Sequence, residues 1–268
     1  MSSNQSLMRG LTILELLDEA SDPLGIRDIA RKMGISATIV QRLVHSLTEA
    51  NFARKDPRSQ KYVIGYRAVA LGRSMLTEER LVGSALPELR ALASDHHLNA
   101  FLSVIAGGEL LYVLAEQSAG PIAIKSKPGA KAAFHATAMG KALLSGRPVD
   151  EIDAFLGREA LEPLTARTIT DRDALYAELA RADQQGYALA FGENLDGVTS
   201  VAARIRDGEG GVIAATSIAF APSLQPTAQL ADVVRLVTDA AARISTTLGC
   251  PKEMLDRVTP VLETPDVA

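Results

Sequence analysis

The sequence predicts an α+β chain in two parts, and three observations carry that prediction. The first 80 residues repeat apolar side chains at helical spacing, broken by short polar turns. Between about residues 100 and 220 the pattern changes to short strand-like runs with Gly-rich turns, and helical stretches separate two groups of them. Charge divides in the same place. Residues 1–80 hold 12 Lys and Arg against 9 Asp and Glu, a net of +3, so the remainder of a chain with net charge −4 carries −7. Such an asymmetry points to an N-terminal part that meets a polyanion and a C-terminal part that does not.

At 268 residues there is enough chain for two cores, and 47% hydrophobic with 22% charged residues is ordinary globular composition. No apolar run reaches membrane-spanning length, and MSSNQSLMRG at the N-terminus has no signal-peptide hydrophobic region. With Cys250 as the only cysteine, a disulfide framework or a cysteine-based zinc site within one chain is excluded. The expectation is a cytoplasmic protein without a membrane partner.

In order, a first helix is read over 7–20, with Leu7, Leu11, Leu14 and Leu17 on one side, and Ser21-Asp22-Pro23 ends it. A short second helix over 27–33 buries Ile29, Ala30 and Met33, and Gly34 closes it. Ser36 then suits the N-cap of a third helix over 36–50. Its inward stripe is Ile39, Val40, Leu43, Val44 and Leu47. Its outward stripe is Thr38, Gln41, Arg42 and His45, spaced i, i+3, i+4, i+7 with no acid among them. Two helices joined this tightly form a helix-turn-helix whose second member is the recognition helix. Arg and Gln pair with guanine and adenine edges, and Thr meets a thymine methyl. FARK (52–55) and KYVI (61–64) around DPRSQ read as a hairpin, which makes the unit a winged helix-turn-helix. Arg54, Lys55, Arg58 and Lys61 on that wing suit phosphate or minor-groove contact.

Residues 66–80 form a helix without a core of their own, as a connector does, and Gly83 and Pro87 punctuate the join to a helix ending near Asp95. Strands follow at 100–106, 109–117 and 121–126, with Gly107-Gly108 turning between the first two. Helices are read over 137–145, 149–156 and 171–185, strands over 187–192, 198–206 and 211–220, and a final helix over 227–248. The tail after Pro251 reads as irregular. The expected organisation is a winged helix-turn-helix DNA-binding domain at 1–65, a linker helix at 66–82, an α+β domain at 83–250 and a tail at 251–268.

With those residues in view the chain resembles the IclR family of bacterial transcriptional regulators over nearly all of 5–250. The most specific string is HATAMGKALL (135–144), followed in order by TITDRDALYAEL (168–179), GYA (186–188), Glu193 and Gly197. The resemblance implies a winged helix-turn-helix domain, a linker helix that helps dimerise, and a GAF-like domain with a mainly antiparallel sheet flanked by helices. It further implies double-stranded promoter DNA and a small organic acid effector as partners, a homodimer or tetramer, and more often repression than activation. Three departures stand out. Ala37-Thr38-Ile39 replaces the usual Lys-Ser-Thr, Asn51 replaces a common Gly before the wing, and Arg204 stands where Pro is usual.

For the effector, the resemblance points to the helix start at 135–139. Backbone N–H groups of Ala138 and Met139 become donors there, and small side chains let a carboxylate approach. Ser200 and Ser217 match hydrogen-bonding positions, Ile124 and Val198 match pocket walls, and Phe134 adjoins them. Ala190 falls where some members carry an acid, which predicts a more apolar pocket and a less polar effector, such as an aromatic carboxylate. The competing reading is a small-molecule-binding or hydrolytic protein that uses its N-terminal domain only for protein contacts. Against catalysis, no nucleophile–base–orienter set is present. Gly140-Lys141 lacks the first Gly and the Ser or Thr of a phosphate loop, and His135 reads as a capping or packing residue. His96-His97 are adjacent, so their rings point apart, and neither metal nor cofactor is expected.

Overall fold

Asn4 starts the first helix, α1 (Gln5–Glu19), by accepting hydrogen bonds on its side chain from the Ser6 and Leu7 N–H groups. Its inward stripe is Gly10, Ile13 and Leu17. This corrects the expected Leu7/Leu11/Leu14/Leu17 face, because Leu7 is 60% and Leu11 46% exposed. Ile13 and Leu17 share one buried cluster with Ile29, Val40 and Val44. α2 (Ile26–Met33) ends at Gly34, whose left-handed backbone (φ 64°) turns its N–H onto the Ala30 and Arg31 carbonyls. α3 (Ala37–Glu49) starts two residues later with Ser36 Oγ accepting from the Ile39 N–H at 3.4 Å. Val40 and Val44 are fully buried.

The wing is β1 (Ala53–Lys55) paired antiparallel with β2 (Tyr62–Ile64), and Leu24 adds one bridge to Tyr62. Asp56 holds its turn by accepting from the Ser59 N–H and Oγ at 2.8 and 2.6 Å. Those bonds from Ser59 keep its carboxyl below the usual range. Asn51 sits at φ 62° before the wing, so the position that favours glycine is filled by the side chain that best tolerates that conformation. α4 (Arg67–Glu78) follows, with Val69 and Leu71 strongly exposed.

These observations come from a computed structural model that describes residues 4–78, 80–118, 124, 126–225 and 228–259, with the side chains of 73–78 left out. The chain divides into two compact units, residues 1–79 and 80–268. Among the described residues no helix is long and apolar enough to cross a membrane.

The second unit opens with α5 (Arg80–Asp95), which runs unbroken through Gly83 and Pro87 rather than starting after them. β3 (Asn99–Ala106) and β4 (Glu109–Glu116) form the hairpin expected at Gly107-Gly108. The strand expected over 121–126 falls mostly outside the described residues, and Ile124 and Ser126 are not in strand. A two-residue strand that sequence reading missed, β5 (Lys131–Ala132), pairs instead with β4. Then come α6 (Ala138–Leu144), α7 (Val149–Leu156), α8 (Arg172–Gln185), β6 (Ala188–Phe191), β7 (Thr199–Arg206), β8 (Val212–Phe220) and α9 (Leu230–Thr247). The sheet has the order β5-β4-β3-β8-β7-β6 with antiparallel neighbours throughout.

Alternation along the strands builds two cores, one on each face. Leu102, Val201, Ile205, Ile218 and Phe220 pack with α5 and α9, whereas Phe101, Ala202, Ala215 and Ala219 face α6 and α8. Residues 251–259 of the tail are more regular than expected. Residues Lys252–Met254 make a short 3-10 turn, and Asp256 returns to the sheet to pair with Arg204 and Arg206.

Candidate functional site

In the N-terminal unit, Thr38, Gln41, Arg42 and His45 are all exposed along α3. They line one groove together with Thr48, Lys55 and Tyr62. The inward valines hold this face outward, and the Tyr62–Leu24 bridge fixes the wing beside it. The other wing cations lie apart from the groove. The Arg54 guanidinium sits over the Tyr66 ring at 5.1 Å, Lys61 Nζ lies 3.9 Å from Asp28 Oδ2, and Arg58 is exposed in the hairpin turn. His45 Nε2 is 3.5 Å from Glu49, so an acid lies one turn along the same face.

The second unit contains a cavity of about 50 Å³ between the start of α6 and the sheet. That is several times the ~10–15 Å³ one water needs. Its floor is a row across four strands, Phe101, Ser217, Ala219, Ser200 and Ala190, as the strand registers require. Four of these five side chains are small, which leaves space that larger ones would fill. At the α6 end, Thr137 caps the helix by accepting the Gly140 N–H at 3.1 Å on its Oγ1, and its carbonyl accepts the Lys141 N–H. Ala138 and Met139 carry the remaining N–H groups of the first turn. α6 spans seven residues, so these local donors matter more than a long helix dipole. Gly140 is required there because a Cβ would strike the Phe134 carbonyl.

Seven of the eight residues proposed for the effector line this cavity: Ile124, Ala138, Met139, Ala190, Val198, Ser200 and Ser217. Phe134 does not. Its ring packs on Phe155 at 5.4 Å, behind the helix start, so adjacency in sequence did not bring it to the wall. Sequence reading missed Phe101, Tyr112, Thr137, Glu193, Asn194, Leu195 and Ala219. Ser217 predicted the inward face of β8, and period-two alternation alone would have found Ala219. Asn99 carried no local signal. Its buried side chain accepts from the Ser118 and Ile124 N–H groups and so positions Ile124.

The expectation of a largely apolar pocket is amended, since Glu193 stands in the wall three residues beyond Ala190. Burial pushes its carboxyl upward, and the Lys141 ammonium, 2.6 Å away, opposes that shift. The Glu193 backbone is fixed from outside by Thr168 Oγ1, which donates to its carbonyl at 2.7 Å. His135 is largely buried, with its Nε2 2.9 Å from the Glu162 carbonyl, which is a packing role.

An exposed polar face on α3 beside a wing in one unit, and an enclosed cavity in a second, are the arrangement expected of a two-domain transcription regulator. Comparison with known proteins specifies it further. Residues 6–57 match the IclR helix-turn-helix domain and residues 73–246 match the bacterial transcriptional regulator IclR C-terminal domain. The chain is 31% identical to the HTH-type transcriptional regulator XynR of Escherichia coli, over 92% of this chain and 98% of that protein. The fold is shared with an IclR transcriptional regulator from Alicyclobacillus acidocaldarius (TM-score 0.83, 24% identity, covering 92% and 100% of the two chains). It is also shared with an IclR homologue from Microbacterium hydrocarbonoxydans complexed with 4-hydroxybenzoate (TM-score 0.79, 24% identity, covering 91% and 99%). The chain belongs to the IclR family of transcriptional regulators, a family of DNA-binding proteins rather than of enzymes.

Proposed function

We propose that this regulator reads operator DNA with Thr38, Gln41, Arg42 and His45 in the major groove, while Lys55, Arg54, Arg58 and Lys61 hold phosphates. The observation that carries the reading is the shared groove of α3 and the wing, where Lys55 stands beside the four outward α3 side chains. Base contacts then specify and wing contacts position. The protein acts as a cytoplasmic homodimer or tetramer, and more as a repressor than an activator. Exposed Val69 and Leu71 on α4 support a dimerising role for that helix. A two-fold dimer reads half-sites about one DNA turn, roughly 10 bp, apart.

The cavity takes a compact organic acid, with its carboxylate on the Ala138 and Met139 N–H groups and Ser200 and Ser217 as further polar contacts. An aromatic acid is one form of it, supported by the 4-hydroxybenzoate complex of the Microbacterium homologue. Binding alters DNA affinity only if the acid prefers one arrangement of the protein over another.

Fluorescence anisotropy with the protein's own upstream DNA, against scrambled DNA over a salt series, tests the DNA half. Selective binding that weakens steeply with salt is expected, because phosphate contacts release counterions. Equal affinity for both DNAs at every salt concentration would overturn the assignment of this target.

A further inference from the structure

The ion pair between Lys141 and Glu193 is used on one side only. Lys141 Nζ lies 2.6 Å from Glu193 Oε1, with the two side chains 0% and 8% exposed. Nζ also donates to the Leu189 carbonyl at 3.1 Å, and the Phe191 N–H donates to the same Oε1 at 3.3 Å. Both donors to this carboxylate therefore fall on one oxygen. The other, Oε2, is buried without a hydrogen-bond partner among the described residues. A buried acceptor in that condition is costly and calls for an explanation. Glu193 is also part of the cavity wall.

We infer that Glu193 Oε2 accepts a hydrogen bond from the effector, so that the cavity selects an organic acid carrying a hydroxyl over the same acid without one. The inference rests on the proposed reading of this cavity as the effector site. An ionised carboxylate only accepts, so the matching ligand group is a donor. Because Lys141 already balances the charge, a neutral hydroxyl suits the site better than a second cation, and the pair does not repel an anionic ligand. A site that places a buried acceptor for a ligand hydroxyl rejects the deoxy analogue strongly, because the acceptor is then left unpaired. The alternative is that Glu193 serves only as the counter-ion of Lys141. In that case the ligand's hydroxyl is irrelevant.

Calorimetric titration of the full-length protein separates these. The probes are benzoate with its 3- and 4-hydroxy and 3- and 4-methoxy derivatives, and butyrate with its 3- and 4-hydroxy and methoxy derivatives. At least one hydroxy acid is expected to bind more than about tenfold tighter than both its parent and its methyl ether. Glu193→Gln can keep a carbonyl oxygen on Lys141 and present an NH2 donor in place of Oε2. A hydroxyl oxygen and an ether oxygen both accept from that NH2, so the preference for the hydroxy acid over its methyl ether is then expected to collapse to within about threefold. Parent acids binding as tightly as their hydroxy forms would overturn the inference and leave the cavity as an acid site. An undiminished preference for the hydroxy acid over its methyl ether in the Gln variant would overturn it as well. If none of the probes binds, the effector-site reading itself fails and takes the inference with it. Should the variant fail to melt cooperatively, the wild-type series decides alone.

Discussion

The two units treat charge in opposite ways. In residues 1–79 the side chains assigned to DNA lie at the surface, and their protein contacts are solvent-exposed, such as Lys61 with Asp28 and His45 with Glu49. Among the described residues of 80–268, two ion-pair clusters are centred on buried cations. Lys141 meets Glu193, while Arg204 binds Asp256 through Nε and Nη2 at 2.9 and 2.8 Å and Asp183 through Nη1 at 2.5 Å. Exposed pairs contribute little to stability, whereas breaking a buried pair leaves a charge uncompensated. Substitutions should therefore divide, with stability effects in the second unit and DNA effects in the first.

The strongest way to break that contrast is Lys141→Ala, which strands Glu193 in the interior. A loss of about 3–5 kcal/mol in urea denaturation is expected, and a loss under about 1 kcal/mol would show that the pair is not truly desolvated. Asp256→Ala comes next, at about 2–3 kcal/mol, because Arg204 loses two charge-assisted bonds and Arg206 one, while Asp183 keeps Arg204 partly paired. The same measurement on Arg42→Ala should show a change within about 0.5 kcal/mol, as for an ordinary surface site. Its operator affinity should instead fall by about 1–3 kcal/mol relative to scrambled DNA. Asn51→Gly sharpens the comparison at the small end. Relief of its left-handed backbone should stabilise the N-terminal unit by about 0.5 kcal/mol, seen as a rise in its melting temperature.

A pH series adds a sign test to the buried cluster. Burial raises the Glu193 pKa against the pull of Lys141, so the folded state holds that proton more tightly than the unfolded chain, whose carboxyl titrates near 4.5. The group's contribution is full below that value and is lost as pH rises through the higher folded value. Wild type should thus lose stability relative to Glu193→Gln as pH climbs from about 4 toward neutrality. The opposite slope would mean that attraction to Lys141 outweighs desolvation.

Legibility in the sequence followed the same division. The outward face of α3 was readable because Thr38, Gln41, Arg42 and His45 lie within two turns, where helix periodicity alone sets their direction. The α1 face was misread because four leucines were chosen over Ile13, which is the residue that meets Ile29 and Val40. Asn51 looked like a departure and proved to occupy a backbone conformation that asparagine tolerates. Arg204 looked like another, and its compensation lies in Asp256, a residue of the tail expected to be irregular.

By itself the sequence determined the order and type of most elements, the outward face of α3 and the family, because these depend on periodicity, turn residues and contiguous motifs. Only the tertiary structure decided which residues surround the cavity. Phe134 lies behind the start of α6, although its sequence neighbours reach the cavity wall. Lys141 and Glu193 meet across 52 positions, and Asn99 reaches Ser118 and Ile124 from the start of β3. Contacts between side chains far apart in the chain are set by strand register and by the packing of helices on the sheet, and the pattern within one segment does not name the distant segment it will meet.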